Sequence, residues 1–109
     1  MELQMTDAAI EAINVIWHGS GLIRLSYDTD GCGCAVNGVP SIWIIDQPSP
    51  FDEQVASNAP FPVVIDHHQA IFFEEHLFLD IVGVGNYRLS SKQQIYSTHV
   101  SCVDKRVQI

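Results

Sequence analysis

The spacing of apolar positions predicts one helix near the start of the chain. Apolar side chains recur every three or four positions between residues 9 and 17, which is the spacing of one face of an α-helix. Thr6 or Asp7 is a suitable N-cap, and Gly19 and Gly21 would end the helix. We expect this amphipathic helix to cover one face of a sheet.

The rest of the chain alternates between apolar and polar positions, which indicates strands. Within the predicted strand from Leu22 to Asp28, residues 23, 25 and 27 are apolar and residues 24, 26 and 28 are polar, as in a half-buried strand. Arg24, on the polar face, is expected to be solvated, the alternative being a partner carboxylate such as Asp28. Residues 47–60 hold three prolines and little periodicity, so a surface excursion is expected there. Further strands are predicted at 3–5 (a short edge strand), 41–46, 61–66, 77–82, 87–91 and 94–100. The chain is therefore predicted to be α+β and mostly β.

Two cysteines in the connection between the first two long strands suggest chemistry. The run DTDGCGC at residues 28–34 places Cys32 and Cys34 one residue apart. Residues i and i+2 of an extended chain project to the same side, so the two thiols can converge on one ion. The glycines at 31 and 33 leave main-chain N–H groups open to donate to a bulky anionic sulfur centre. The alternative is a tight turn with two small buried residues.

The charges around these cysteines favour a metal site over a nucleophile. Asp28 and Asp30 flank the loop, and the nearest arginine or lysine in sequence is Arg24. Carboxylates raise the pKa of a thiol, whereas a bound cation deprotonates it. Asn37-Gly38 predicts a type I′ hairpin turn that would bring residues 41–46 back beside the cysteine segment. The loop would then be supported by strands on both sides.

These residues carry a resemblance to a known family. The segment IRLSYDTDGCG at 23–33 resembles the first cysteine loop of the HesB/IscA-type iron-sulfur cluster biogenesis domain, and PVVID at 62–66 and FLDIV at 78–82 are similar to its later core strands. The resemblance spans most of the chain. It implies a single HesB-like domain over residues 1–109, built as a compact β-sandwich or barrel-like sheets with one N-terminal helix.

The resemblance also implies a set of ligands. Typical members carry a Cys-Gly-Cys after an Asn-Pro near the C-terminus, whereas the tail here, SCVDKR, has Cys102 alone. Cys32 takes the family's first-ligand position, Cys102 is the counterpart of the tail pair, and Cys34 stands where the family usually has glycine. The chain is most similar to the divergent small members of Gram-positive bacteria. We expect Cys32, Cys34 and Cys102 to bind the cofactor.

The function that follows is iron-sulfur cluster carriage. The chain would hold a 2Fe-2S or 4Fe-4S cluster, or iron, transiently, take it from an assembly donor and pass it to apo-protein recipients. It would not be an enzyme. In a homodimer, two loop cysteines from each protomer would supply the four thiolates that such a cluster requires. The alternative is a non-metal binding or structural module that has lost cluster ligation, with Cys102 as a buried structural thiol.

A third hypothesis, a small metalloenzyme, rests on histidines. Asp66, His67 and His68 follow a predicted strand, and His99 lies near the end of another. Adjacent residues on a strand face opposite ways, so both neighbouring rings would bind one ion only if the backbone turned there. A polar corner after a strand is the simpler interpretation. No His-Glu-x-x-His or comparable spaced motif supports an enzyme.

Composition and charge exclude several other classes. The 109 residues are 47% hydrophobic and 17% charged, which is typical of a globular domain. Thirteen acidic and five basic side chains give a net charge of -8, which repels nucleic acid and anionic lipid. There is no basic, apolar leader at the start and no apolar run of about 20 residues for crossing a bilayer. Three cysteines without a secretory signal fit reduced thiols, so a soluble cytoplasmic protein is expected.

Overall fold

A computed structural model describes residues 1–28 and 39–106. Within these residues the chain forms nine strands, one α-helix and one turn of 3-10 helix at Ala70–Phe72. The elements in chain order are β1 (Glu2–Met5), α1 (Asp7–Trp17), β2 (Leu22–Asp28), β3 (Val39–Ile45), β4 (Asp52–Ser57), β5 (Val63–Asp66), β6 (His76–Gly83), β7 (Asn86–Ser90), β8 (Ile95–Val100) and β9 (Cys102–Asp104).

The strands form one sheet that nearly closes on itself. Their order is β8-β7-β6-β1-β4-β5-β2-β3-β9. The two end strands, β8 and β9, are separated in sequence by Ser101 alone, and the main-chain N–H of Ile42 in β3 donates to the Ser101 carbonyl oxygen at 2.8 Å. β8 and β9, which lie at opposite ends of the strand order, are therefore connected directly through Ser101. The predicted mostly-β fold with a barrel-like sheet and one N-terminal helix is confirmed.

Helix α1 packs against the apolar interior of this sheet. Its N-cap is Thr6, whose hydroxyl oxygen accepts a hydrogen bond from the Ala9 N–H at 3.2 Å. Ala9 and Ile13 are completely buried. The helix ends at His18, which adopts a left-handed conformation (φ 56°) and donates its N–H to Asn14. The helix end is thus one residue earlier than the glycine that was expected to form it.

The C-terminal end of α1 is capped by a residue from the far end of the chain. The Arg106 guanidinium donates to the main-chain carbonyl oxygens of Ile16, Trp17 and Ser20 at 2.8, 2.6 and 2.8 Å. Asp104 holds the same guanidinium through hydrogen bonds of 2.8 and 2.9 Å. Because the last carbonyl groups of a helix lack partners within it, this arginine satisfies groups that α1 cannot.

This cap predicts a loss of stability in acid. Hydrogen bonds from Arg106 lower the pKa of Asp104 to about 2, from 3.8. A carboxylate with a lower pKa in the folded state stabilises the fold above its unfolded pKa, and the contribution is lost as the pH falls through the folded pKa. We expect the difference in thermal midpoint between the wild type and Asp104→Asn to shrink between about pH 4 and pH 2. In an Arg106→Gln background the difference should already be small at neutral pH. A constant difference at all pH values would contradict this role for Asp104.

Two sequence expectations were wrong. The strand at residues 3–5 was expected at an edge, but β1 lies between β4 and β6 and is parallel to both. Residues 47–60 were expected to form a surface excursion, yet they contain β4, which pairs with both β1 and β5. Val55 is the one β4 residue whose side chain is buried, so its sequence shows little alternation, and the prolines at 48, 50 and 60 all lie outside the strand.

The other predicted strands are present, with ends within one or two residues of those expected. No helix among the described residues is long and apolar enough to span a bilayer.

Candidate functional site

The two strands that support the cysteine loop form an uninterrupted antiparallel ladder. β2 and β3 pair from Leu22 with Ile45 to Asp28 with Val39. Residues 29–38, which connect them, include Cys32, Cys34 and the predicted Asn37-Gly38 turn, and they lie outside the described residues. The structure therefore defines the base from which the loop leaves the sheet.

Tyr27 fixes that base to the 3-10 turn. The Tyr27 main-chain N–H donates to the side-chain oxygen of Gln69 at 3.0 Å. Its ring stacks on Phe72 with centroids 4.5 Å apart and meets the edge of Phe73 at 5.4 Å. The Phe73 ring in turn lies against the Tyr96 ring of β8, with centroids 5.3 Å apart. Four aromatic rings thus connect the end of β2 to the 3-10 turn and to β8.

Arg24 is paired rather than solvated, contrary to expectation. Its guanidinium lies 3.1 Å from a carboxylate oxygen of Asp66 and 3.2 Å from one of Asp52. The Asp52 side chain is completely buried, and its other oxygen accepts the Ser49 N–H at 2.8 Å. The contact with Asp52 is ionic without hydrogen-bond geometry. Arg24, four residues before the end of β2, therefore ties this strand to β4 and β5.

Cys102 lies on the strand beside β3, with its side chain against the core. It is in register with Ile42, which is itself buried, and it is half-buried. Ile42 is three positions from Val39, so Cys102 is about 10 Å along the strand from the start of the loop. Burial raises the pKa of the Cys102 thiol to about 11, and the Asp104 carboxylate adds to the increase.

This environment keeps Cys102 as a protonated thiol at neutral pH. The neighbouring Tyr87 is also buried, and burial together with the charge of an ionised Cys102 raises its pKa to about 12. A cysteine ligand must be deprotonated to bind a metal, so an incoming metal ion or cluster would have to displace the Cys102 proton. The assignment of Cys102 as a ligand stays a prediction, and its surroundings also suit the alternative of a structural thiol.

The Asp66-His67-His68 segment forms a polar corner after β5. The His68 N–H donates to a carboxylate oxygen of Asp66 at 2.7 Å, and the His68 ring nitrogen lies 3.2 Å from the same oxygen. His67 instead contacts the Glu53 carboxylate. Both imidazoles are about two-thirds exposed, at 67% and 69%. Burial opposes ionisation of Asp66, but the His68 hydrogen bonds and the charge of Arg24 outweigh it and lower the pKa.

The metalloenzyme hypothesis depended on these residues together with His99. Over residues 1–28 and 39–106, no group of three or more histidine, cysteine or acidic side chains is placed to hold a metal ion. His99 is exposed, and its ring nitrogen lies 3.1 Å from the neighbouring Thr98 hydroxyl.

Sequence reasoning missed the residues that hold the base of the loop. Gln69, Phe72 and Asp52 contact β2 from positions more than 25 residues away, and none of them belongs to a motif. The adjacent aromatic residues at 72 and 73 were the available signal, since aromatic side chains bury large areas and commonly pack on neighbouring elements.

The chain is similar in sequence to a known protein family. The family model described as "Iron-sulphur cluster biosynthesis" matches residues 1–104. The uncharacterized protein YqkB of Bacillus subtilis is 35% identical over 82 residues, which cover 73% of this chain and 76% of that protein.

Solved structures share the fold. A Lactobacillus salivarius protein assigned to Fe-S biosynthesis superposes with a TM-score of 0.79 at 15% identity, over 98% of this chain and all of its own. A second, from Lactobacillus acidophilus, gives 0.74 at 16% identity over 95% of this chain and 89% of its own. Escherichia coli SufA, involved in biosynthesis of iron-sulfur clusters, gives 0.57 at 17% identity over 82% and 77%. At these identities the likeness is one of fold.

Proposed function

Because this chain belongs to the iron-sulphur cluster biosynthesis family, we propose that it carries an iron-sulfur cluster, or iron, bound transiently by cysteine thiolates. It would accept this cargo from an assembly donor and transfer it to apo-protein recipients, in the cytoplasm, as a carrier and not as an enzyme. The observation that carries the proposal is the cysteine-containing connection between two strands whose base is held by Tyr27 and Gln69.

A rigid base suits a site that must keep its ligands in place while it remains open. The β2–β3 ladder fixes where the chain enters and leaves the loop, and the Tyr27–Phe72 stack holds the C-terminal end of β2 in place. Ligands held on well-supported elements bind metals with defined geometry. We assign Cys32 and Cys34 as the loop ligands, with Cys102 as the third candidate in the neighbouring strand.

Incomplete ligation by one chain has a functional consequence. Cluster iron commonly takes four cysteine ligands, and the two loop thiolates of one protomer provide half of them. A homodimer about a two-fold axis would complete the set. A cluster shared between two protomers can be attacked by the thiolates of a recipient, whereas a closed cage in one chain would retain it.

Anaerobic reconstitution tests this proposal. With iron and sulfide added to the reduced protein, we expect visible absorption from a bound cluster in the wild type. Cys32→Ser and Cys34→Ser should each lose most of it, because serine is a poor ligand for this soft centre. Unchanged cluster yield in both variants would refute the proposal.

Cys102→Ser distinguishes the two roles of that residue. If Cys102 is a ligand, the variant should lose cluster absorption while its thermal midpoint stays close to that of the wild type. If Cys102 is structural, cluster yield should be retained and the midpoint should fall. The second outcome would remove Cys102 from the ligand set and leave the two loop cysteines.

A binding or structural module without metal is the second candidate function. It is favoured by the protonated, core-facing Cys102 and by the absence of a second tail cysteine. Such a module would be purified without iron or zinc and would take up neither under reducing conditions. Metal uptake that depends on Cys32 and Cys34 would exclude it.

A further inference from the structure

Residues 101–106, which we call the 101–106 segment, follow β8 and are attached to the rest of the protein by a few polar contacts. Their strand, β9, is three residues long, lies at one end of the strand order and pairs with β3. The Ile42 N–H donates to the Ser101 carbonyl oxygen, and the Lys105 N–H donates to that of Ile44, both at 2.8 Å. A short main-chain ladder therefore holds the middle of the segment.

The far end of the segment is held by Arg106. Its guanidinium makes five hydrogen bonds, one for each of its N–H donors. Two go to Asp104, and the others go to the carbonyl oxygens of Ile16, Trp17 and Ser20. Because these carbonyl groups belong to α1 and the turn after it, Arg106 joins the segment to an element from the opposite end of the chain.

The segment contributes little to the hydrophobic core. Of its side chains, only Cys102 packs against the core cluster of the described residues, and Val103 is 39% exposed. Withdrawal of one small side chain forfeits far less apolar burial than unfolding of the sheet. Val100, the last residue of β8, is by contrast completely buried and paired with Tyr87 of β7. Separation of the segment would therefore stop at Ser101, which is exposed.

We propose that the 101–106 segment separates from β3 and α1 as a unit, pivoting at Ser101 while the rest of the sheet stays folded, and that Arg106 controls how often it does so. Local opening is expected where polar contacts and little buried apolar surface hold an end strand. Opening would bring the half-buried Cys102 side chain into solvent. The inference rests on the proposed function in one respect: an open segment would offer Cys102 to a cluster or iron, and a closed one would withhold it.

Thiol labelling of the metal-free protein tests this motion. In Cys32→Ser/Cys34→Ser, Cys102 is the one remaining cysteine, and its reaction with a fluorescent maleimide can be timed at increasing urea concentrations. We expect labelling about tenfold or more slower than in the unfolded protein. Below the unfolding transition its rate should hardly change with urea, since a local opening exposes little new surface. A rate that follows the population of unfolded protein, or one equal to the rate in the unfolded protein, would overturn the proposal.

Two substitutions in this background separate local opening from global unfolding. Arg106→Gln removes most of the hydrogen bonds at the end of the segment and should speed labelling by about tenfold or more. Ile13→Val is the matched control, because Ile13 is completely buried in α1 and is not a hydrogen-bond partner of Arg106. It should lower the urea midpoint of the whole fold but leave labelling at low urea unchanged. Faster labelling in Ile13→Val, or an unchanged rate in Arg106→Gln, would contradict the proposal.

Amide hydrogen exchange of the wild type gives a second measurement that needs no substitution. The N–H groups of Ile42 and Lys105 both belong to the ladder that holds the segment, so they should show similar protection. The Ile23 N–H, which donates to the Pro62 carbonyl oxygen at 2.9 Å, should be protected about tenfold or more strongly. Equal protection of all three would show that the segment opens only with the whole fold.

These results are separable from the carrier function, because they use metal-free protein, whereas reconstitution of the wild type measures cluster binding directly. A segment that opens only on global unfolding, together with normal reconstitution, would remove the motion and leave the carrier proposal standing. A segment that opens locally, together with failed reconstitution, would support the motion and remove the carrier proposal.

Discussion

Arg24→Met is expected to destabilise the protein by roughly 3–5 kcal/mol in the free energy of unfolding. Arg24 is 17% exposed, and its guanidinium is the cation 3.2 Å from Asp52, whose side chain is completely buried. Methionine keeps much of the packing of the arginine stem but leaves a carboxylate in the interior without a counter-charge. Urea unfolding at neutral pH, followed by circular dichroism, measures the effect.

A second arginine gives the matched control. Arg88 lies 3.9 Å from Asp80, and both side chains are well exposed, at 44% and 39%. Arg88→Met should cost less than about 1 kcal/mol, since exposed ion pairs contribute little. Adding Asp52→Asn to Arg24→Met should recover part of the lost stability. Equal losses for the two arginine variants would show that the buried pair is not the cause.

Gly21→Ala is expected to cost roughly 2–5 kcal/mol. Gly21 precedes β2 with φ of +87°, a conformation that favours glycine, and a Cβ there would lie 2.4 Å from the Ile45 carbonyl oxygen. The clash is with the main chain of β3, so rotation of a side chain does not relieve it. Its own carbonyl oxygen also accepts the Trp17 indole N–H at 2.9 Å, and a shift of the backbone would disturb that bond.

Gly19→Ala separates strain from collision. Gly19 has a similar φ of +79°, but no atom lies within 4 Å of the position a Cβ would take. It should therefore cost only the conformational part, about 1–2 kcal/mol. Thermal or urea unfolding of both variants gives the comparison. If Gly21→Ala were no worse than Gly19→Ala, the close approach to Ile45 would not limit this position.

Both sites act on the strand that leads to the cysteine loop. Gly21 sets the start of β2 against the end of β3, and Arg24 ties the middle of β2 to β4 and β5. Tyr27 holds the C-terminal end of β2 in place. Partial unfolding of β2 would release the loop, so cluster assembly should be measured on these variants only at temperatures well below their unfolding midpoints.

The candidate site was predictable in part. The glycines and paired cysteines of residues 31–34 have a local chemical meaning, and the resemblance to the HesB/IscA family depends on the same segment. The ion pairs of Arg24 were not predicted, because the position of an arginine on the polar face of a strand does not indicate which residues it contacts. Asp52 and Asp66 lie 28 and 42 residues away, and only the pairing of β2 with β5, and of β5 with β4, brings them together.

The helix with its Thr6 cap, most of the strands, the position of the cysteine loop and the family could all be predicted from the order of the residues. These depend on local periodicity, capping and a short motif, which are properties of neighbouring residues. Long-range packing places β1 and β4 inside the sheet, turns Cys102 toward the core and stacks Phe72 on Tyr27. Hydrogen bonds and burial between distant segments decide which strands are neighbours. A local pattern indicates that a side chain is buried, but not which residues cover it.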